Sequence, residues 1–276
     1  MHNPGMNRKP AFAIVLFLSC TLAFAAPPLR LAIPAGSQGL NAAKLWVAMA
    51  REFGNHDDTS LHPVIIQDDD TALTMLRLRE VELAVLDPLS FIDNTGEFEL
   101  LGVVELYGRS VEAFVLIASM DSIIHRTEDL WRARLMLTGP KATLSWAYPL
   151  AWIRNSASTQ GVLPLPIEAD SHAGLLKGIA LGTADAGFLP EGFFLGMADG
   201  VLSARVRVID RTEAFPLALL VARADLGAER KARAKNLQGL VIEGLGISPV
   251  DTQTASRLKH LEKCMAQAEF TGVPQP

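Results

Sequence analysis

Short apolar runs bounded by polar residues alternate along the chain with stretches whose apolar positions recur at helical spacing. The runs at 29–33, 61–66 and 83–86 read as strands, and the segments between them, 40–53 and 71–79, as amphipathic helices. A helix between successive strands returns the chain to the same end of a sheet, so this alternation predicts an α/β fold with largely parallel sheets. The pattern then changes. Strand-like runs at 100–106 and 113–118 are joined only through Tyr107-Gly108-Arg109, with no helix between them. A second block follows: helix 127–131, strand 134–137, helix 144–154, a strand ending near 167, helix 174–181 and strand 184–188. Runs at 206–209 and 218–222 mirror the earlier crossing, and helical patterns at 229–243 and 252–268 close the chain. The expected architecture is two α/β lobes joined by two crossings. Residues 26–108 and 211–276 would form the first lobe, and 109–210 the second. A cleft between lobes is where a small ligand usually binds and around which a hinge can close.

The first 25 residues have a different character. Arg8 and Lys9 precede an apolar run over 11–18, and Ala23-Phe24-Ala25 places small residues at the −3 and −1 positions of a cleavage site after Ala25. This reads as an export signal rather than a buried helix, and the run is too short to span a bilayer. The mature chain is expected in the periplasm. Leu18, two residues before Cys20, makes a poor lipid-attachment signal, so a lipoprotein starting at Cys20 is the lesser alternative. Removing 1–25 takes away two cations and no acid, which leaves an exported protein more acidic than the full chain at −5.

Composition excludes several classes. Among 276 residues, 49% are hydrophobic and 20% charged, enough for one or two ordinary cores and too apolar for a disordered chain. With 25 Lys and Arg against 30 Asp and Glu, there is no cationic surplus to neutralise a nucleic-acid backbone. Two cysteines, Cys20 and Cys264, make neither a disulfide framework nor a zinc cluster. Once residues 1–25 are gone, Cys264 is the one thiol, read as a packing residue. No phosphate-binding loop, dinucleotide fingerprint or hydrolase motif occurs, so no cofactor and no enzymatic activity is expected.

Several segments, in order, resemble the periplasmic phosphate/phosphonate-type solute-binding proteins of ABC transporters, the PhnD-like branch of the type II periplasmic binding fold. Leu29-Arg30-Leu31-Ala32-Ile33 is similar to the family's opening strand, and residues 81–91, through Leu86-Asp87-Pro88-Leu89-Ser90-Phe91, to its strand and turn in the first lobe. Glu128-Asp129-Leu130-Trp131 resembles the approach to the second lobe's first strand. Ser171-His172-Ala173-Gly174 with Gly182-Thr183-Ala184-Asp185-Ala186-Gly187 resembles a later helix and strand, and Phe270-Thr271-Gly272 the usual end.

The resemblance implies a ligand site, with departures. Phosphonate binders carry a Ser-Thr-Ser triplet at a helix N-terminus, where hydroxyls and unpaired amides hold the anion. Here the stretch is Ala142-Thr143-Leu144, which keeps only Thr143, with Ser145 in the first turn and Lys141 beside it. Thr143 serves equally well as a plain helix cap. His172 and Glu191 carry over as ligand-facing positions, the one as a donor, the other as an acceptor. A tyrosine of the family becomes Asp70, the glycine before Pro88 becomes Asp87, and an acid near the second crossing becomes Phe215. Ser90 completes the first-lobe wall. Extra carboxylates beside a doubly ionised phosphonate would repel it, so the pocket suits a ligand with an anionic or oxygen-rich end and a donor-bearing end. The triple Asp68-Asp69-Asp70 run reads more simply as a helix N-terminal cluster.

The resulting expectation is a monomeric solute-binding protein that captures a small polar, oxyanion-bearing molecule for a membrane permease. The alternative is a sensor or accessory protein that partners a membrane protein with altered or lost ligand binding. Asp87, His172 and Glu191 as an acid/base set, or Asp70, Asp87, His172 and Glu191 as a metal site, form a third reading that no spacing motif supports.

Overall fold

The computed structural model describes residues 27–35, 39–56, 60–139, 143–155, 166–197 and 199–269. The expected export signal with Cys20 and Ala25, the end of the chain after 269, and Lys141 lie outside them.

The first block opens as read from the sequence, with β1 (Leu29–Pro34), α1 (Gly39–His56), β2 (Leu61–Ile66), α2 (Asp69–Arg77) and β3 (Leu83–Leu86). After β3 comes a short helix, α3 (Pro88–Ile92), then the long β4 (Phe98–Leu106) and the brief β5 (Val111–Glu112). The second block holds β6 (Phe114–Ser119), β7 (Leu135–Thr138), α4 (Leu144–Asn155), β8 (Pro166–Ala169), α5 (His172–Ala180), β9 (Ala186–Pro190), α6 (Glu191–Gly196) and β10 (Val206–Arg211). The chain then returns through β11 (Phe215–Pro216), β12 (Leu219–Arg223), α7 (Ala228–Lys235), β13 (Val241–Ile242), β14 (Leu245–Ser248) and α8 (Thr252–Glu269).

Two sheets organise these elements. A seven-stranded sheet runs β13-β14-β4-β12-β3-β1-β2, and a five-stranded one β10-β6-β9-β7-β8. The expectation of largely parallel sheets needs correcting: both are mixed. Parallel pairing is confined to β2-β1-β3 and β8-β7-β9, where helices link the strands. β12 inserts between β3 and β4 and is antiparallel to both, because it enters from the other sheet rather than through a helix on the same face. β5 and β11, one in each crossing, pair antiparallel as a separate two-stranded ribbon.

The sequence pattern read one helix over 229–243, but α7 stops at Lys235 and a hairpin, β13 with β14, follows. Glu243 and Gly244 take positive φ of 50° and 93°, the left-handed turn that a two-residue hairpin needs and a helix cannot absorb. β14 then pairs with β4 and extends the first sheet.

The first sheet buries Trp46, Met49 and Phe53 of α1 on one face and Leu73 and Leu76 of α2 on the other. In the second, Leu175, Leu176 and Ile179 of α5 cover one face, while Trp146, Tyr148 and Ile153 of α4 pack on the other. α8 joins both cores: Leu258 packs with the α2 side of the first sheet, and Leu261 with α4 and Phe215. Cys264 is half-buried beside it, 3.4 Å from His260 Nε2, and burial raises its thiol pKa, which suits a packing residue. Among the described residues no helix is long and apolar enough to cross a membrane.

Candidate functional site

The two lobes meet through the N-termini of α3 and α4. Leu83–Leu86 is fully buried and delivers the chain to Asp87, whose extended backbone and carboxylate cap α3 while Pro88, with no N–H to leave unpaired, begins it. Asp87 Oδ1 accepts from the Leu89 amide at 2.9 Å. Its Oδ2 accepts from the Leu144 amide, in the first turn of α4, at 3.2 Å. One carboxylate thus sits where amide donors of two helices converge, the first helix on the seven-stranded sheet and the second on the five-stranded sheet. Partial positive charge at both helix ends favours it.

Asp87 is further fixed by α2. Its own amide donates to Asp69 Oδ2 at 2.7 Å, and Ser90 also hydrogen-bonds the Asp69 carboxylate. Burial pushes the Asp87 carboxyl up to about 7, and the negative charges of Asp69 and Asp93 add to the rise against the two amide bonds. Asp69 is raised too, by burial first. Asp70, the position carried over from the family, is exposed and follows the helix backbone, its carbonyl accepting from Thr74 Oγ1. Asp68 is the helix cap, accepting from the Thr71 amide at 2.9 Å. The Asp triplet is therefore a helix start in which the middle residue, which sequence reasoning passed over, reaches the site.

On α4, Thr143 provides the cap: its carbonyl accepts from the Trp146 and Ala147 amides at 3.1 and 2.9 Å. Its hydroxyl lies 3.0 Å from Ser145 Oγ, which also reaches the Thr138 carbonyl at the end of β7 at 3.1 Å. Gly139, with φ of 89°, leaves the space both hydroxyls use, since a Cβ there would fall 2.7 Å from Ser145 Oγ. Asp87, Ser90, Thr143 and Ser145 are therefore brought to one place, with Asp69 as the addition. Lys141 lies outside the described residues.

His172 and Glu191 sit on other elements. His172 opens α5, half-buried, its ring 5.3 Å from that of Phe193 on α6; burial lowers its pKa, so it is neutral at pH 7. Glu191 opens α6 and pairs with Arg211 at the end of β10. Beside it the Gly192 amide donates to Glu112 at 2.9 Å, and Arg109, 3.4 Å from Glu112, lies over Gly192 so closely that a Cβ there would overlap its guanidinium. This charged group at the crossings was not read from the sequence, because its members are far apart in the chain. Phe215, where an acid was expected, is fully buried against Tyr148; the acid nearby is Glu213, which accepts from the Tyr148 hydroxyl at 2.7 Å. No three His, Cys, Asp or Glu side chains converge at metal-binding distance among the described residues.

A family model described as ABC transporter, phosphonate, periplasmic substrate-binding protein matches residues 33–237. No curated protein matches the chain. Among solved structures, XAC2383 from Xanthomonas citri bound to ATP superposes with a TM-score of 0.72 at 15% identity, covering 89% of this chain and 99% of that one. PhnD1 from Prochlorococcus marinus in complex with methylphosphonate gives 0.66 at 14% identity, covering 87% and 98%. The periplasmic aliphatic sulphonate binding protein SsuA from Escherichia coli gives 0.58 at 15%, covering 90% and 92%. These structures share the type II periplasmic binding fold with this chain.

Proposed function

Because the chain belongs to the family of phosphonate-type periplasmic substrate-binding proteins of ABC transporters, we propose that it captures a small oxyanion-bearing solute between its lobes and presents it to a membrane permease. Residues 26–108 with 211–276 form one lobe in this reading and 109–210 the other. Export follows cleavage after Ala25.

The observation that supports the site is the first turn of α4, where the Leu144 amide reaches the cap of α3 and the Thr143 and Ser145 hydroxyls lie together beside the end of β7. The helix end favours an anion, and the two hydroxyls can donate to its oxygens. Lys141 precedes this turn in the chain and would add a positive charge. His172 and Glu191, on α5 and α6, would contact the remainder of the ligand.

The test is thermal unfolding of the protein beginning at Ala26 with methylphosphonate, methanesulfonate, inorganic phosphate and ATP, since a ligand of the native state raises the midpoint by mass action. At least one of these oxyanions should do so. For that ligand, Thr143→Ala should weaken binding by about 1–3 kcal/mol, the worth of one hydrogen bond to a charged group, with little change in unliganded stability. No midpoint shift with any of the four, or unchanged affinity in Thr143→Ala, would refute the assignment.

A further inference from the structure

β7 pairs parallel with both β8 and β9, so α4, α5 and α6 begin at one edge of the five-stranded sheet. β6 is antiparallel to β9 and β10 antiparallel to β6, so β10 ends at that edge too, at Arg211. α4 begins beyond β7 and α6 beyond the neighbouring β9, about 5 Å apart by strand spacing, and β10 lies two strands further on. Guanidinium groups hold the carboxylates beside α6. Glu191 pairs with Arg211, while Glu112 takes the Gly192 amide on Oε1 and lies 3.4 Å from Arg109 through Oε2. Nearby, Asp210 accepts from Thr127 Oγ1 and Glu213 from the Tyr148 hydroxyl.

The donor and acceptor count at this end favours an anion. A guanidinium has five N–H donors, of which one carboxylate takes two at most, and the Arg109 and Arg211 side chains are 48% and 58% exposed. The surplus is therefore donors carried on cations, whereas each nearby carboxylate already has a partner. Resting on the reading of the first turn of α4 as the oxyanion site, we propose that Arg109 and Arg211 are specificity-determining residues that select a solute with a second anionic group, a carboxylate or another oxyanion. A spacer of two or three carbons covers about one strand spacing, the step from α4 to α6. An ammonium tail would meet two like charges and acids already bonded, while a planar carboxylate matches the guanidinium fork. Glu191, expected from the sequence to accept from a donor-bearing end of the ligand, instead orients Arg211.

Three phosphonates with one head group and different tails test this by titration calorimetry: phosphonopropionate, ethylphosphonate and aminoethylphosphonate, which end in a carboxylate, a methyl and an ammonium group. The proteins are the parent beginning at Ala26, Arg109→Gln, Arg211→Gln and Arg211→Lys, each shown to be folded by circular dichroism and cooperative unfolding. The parent should bind phosphonopropionate about tenfold more tightly than ethylphosphonate, the equivalent of one charge-assisted hydrogen bond, and aminoethylphosphonate most weakly. Each Gln variant should lose most of the preference for the carboxylate tail while binding ethylphosphonate as the parent does. Arg211→Gln, which uncovers the Glu191 carboxylate, should also gain affinity for aminoethylphosphonate, and Arg211→Lys should keep part of the parent's preference. Residues that only shape the fold would weaken all three ligands alike, so that result overturns the proposal, as does a parent that binds the three equally. In both cases binding of ethylphosphonate leaves the oxyanion reading standing. If the parent binds none of the three, the oxyanion reading falls and the tail preference falls with it.

Discussion

Between pH 5 and pH 8 the unliganded protein should lose stability, and Asp87→Asn should lose markedly less. The Asp87 carboxyl ionises near 3.8 in an unfolded chain and is pushed up to about 7 in the folded one, burial being the main cause. Between those values the folded state holds a proton that the unfolded state has released, so unfolding becomes easier as pH rises. The stabilising effect of that proton is complete below about 3.8, declines through the interval and is gone above about 7. A shift of about three units corresponds to a ceiling of about 4 kcal/mol, reduced to whatever extent the lobes part and water reaches the carboxylate. Asp69 moves in the same direction and its charge acts on Asp87, so the difference between parent and Asp87→Asn reports Asp87 together with its coupling to Asp69. Asp129, Asp185 and Asp251 are held low by hydrogen bonds and act oppositely, costing stability only as pH falls below their usual range. Urea unfolding of both proteins at pH 5 and pH 8 measures the effect. A parent-to-variant difference that is equal at both values would mean that Asp87 titrates as a solvated acid.

The route from sequence to this site was uneven, for physical reasons. Strands 61–66 and 83–86 were legible to the residue because short apolar runs end abruptly in polar ones. Strand direction was not, because β12 inserts between β3 and β4 from more than a hundred residues away and leaves no local trace. The short helices α3 and α6, of five and six residues, carry too few positions to display a period. Asp87, Ser90, Thr143 and Ser145, expected from the family pattern around Pro88 and before α4, lie near one another in the fold. Asp69, rather than the expected Asp70, is the member of the triplet that bonds Asp87. Successive helix residues point about 100° apart, so a misplacement by one turns the side chain from the α3 cap towards solvent. The bond from Asp87 to Leu144 had no sequence signal, since the two residues are 57 positions apart and belong to helices on different sheets.

Phe215→Ala should be the most destabilising single truncation at the crossings, at about 3–5 kcal/mol. The side chain is fully buried on β11, in contact with structure from both lobes. Its ring meets Tyr148 of α4 edge-on at 4.6 Å and stacks on His260 of α8 at 6.2 Å, and Leu261 belongs to the same core. Truncation would remove the ring's burial, leave a cavity under α4, and forfeit aromatic contacts worth about 0.5–1.5 kcal/mol each. Phe215→Leu, which keeps most of the volume, should cost less than half as much. Phe215→Glu, which restores the acid of the family pattern, should be worse than either, because that carboxylate would lie beside Glu213 in an apolar core with the Tyr148 hydroxyl already donated. Guanidinium unfolding ranks the three. If Phe215→Glu were tolerated as well as Phe215→Leu, the crossing would have to be open to water there, and the acid could act as a ligand contact in the cleft. If the order holds, Phe215 is a packing residue that ties the crossing to α4 and α8.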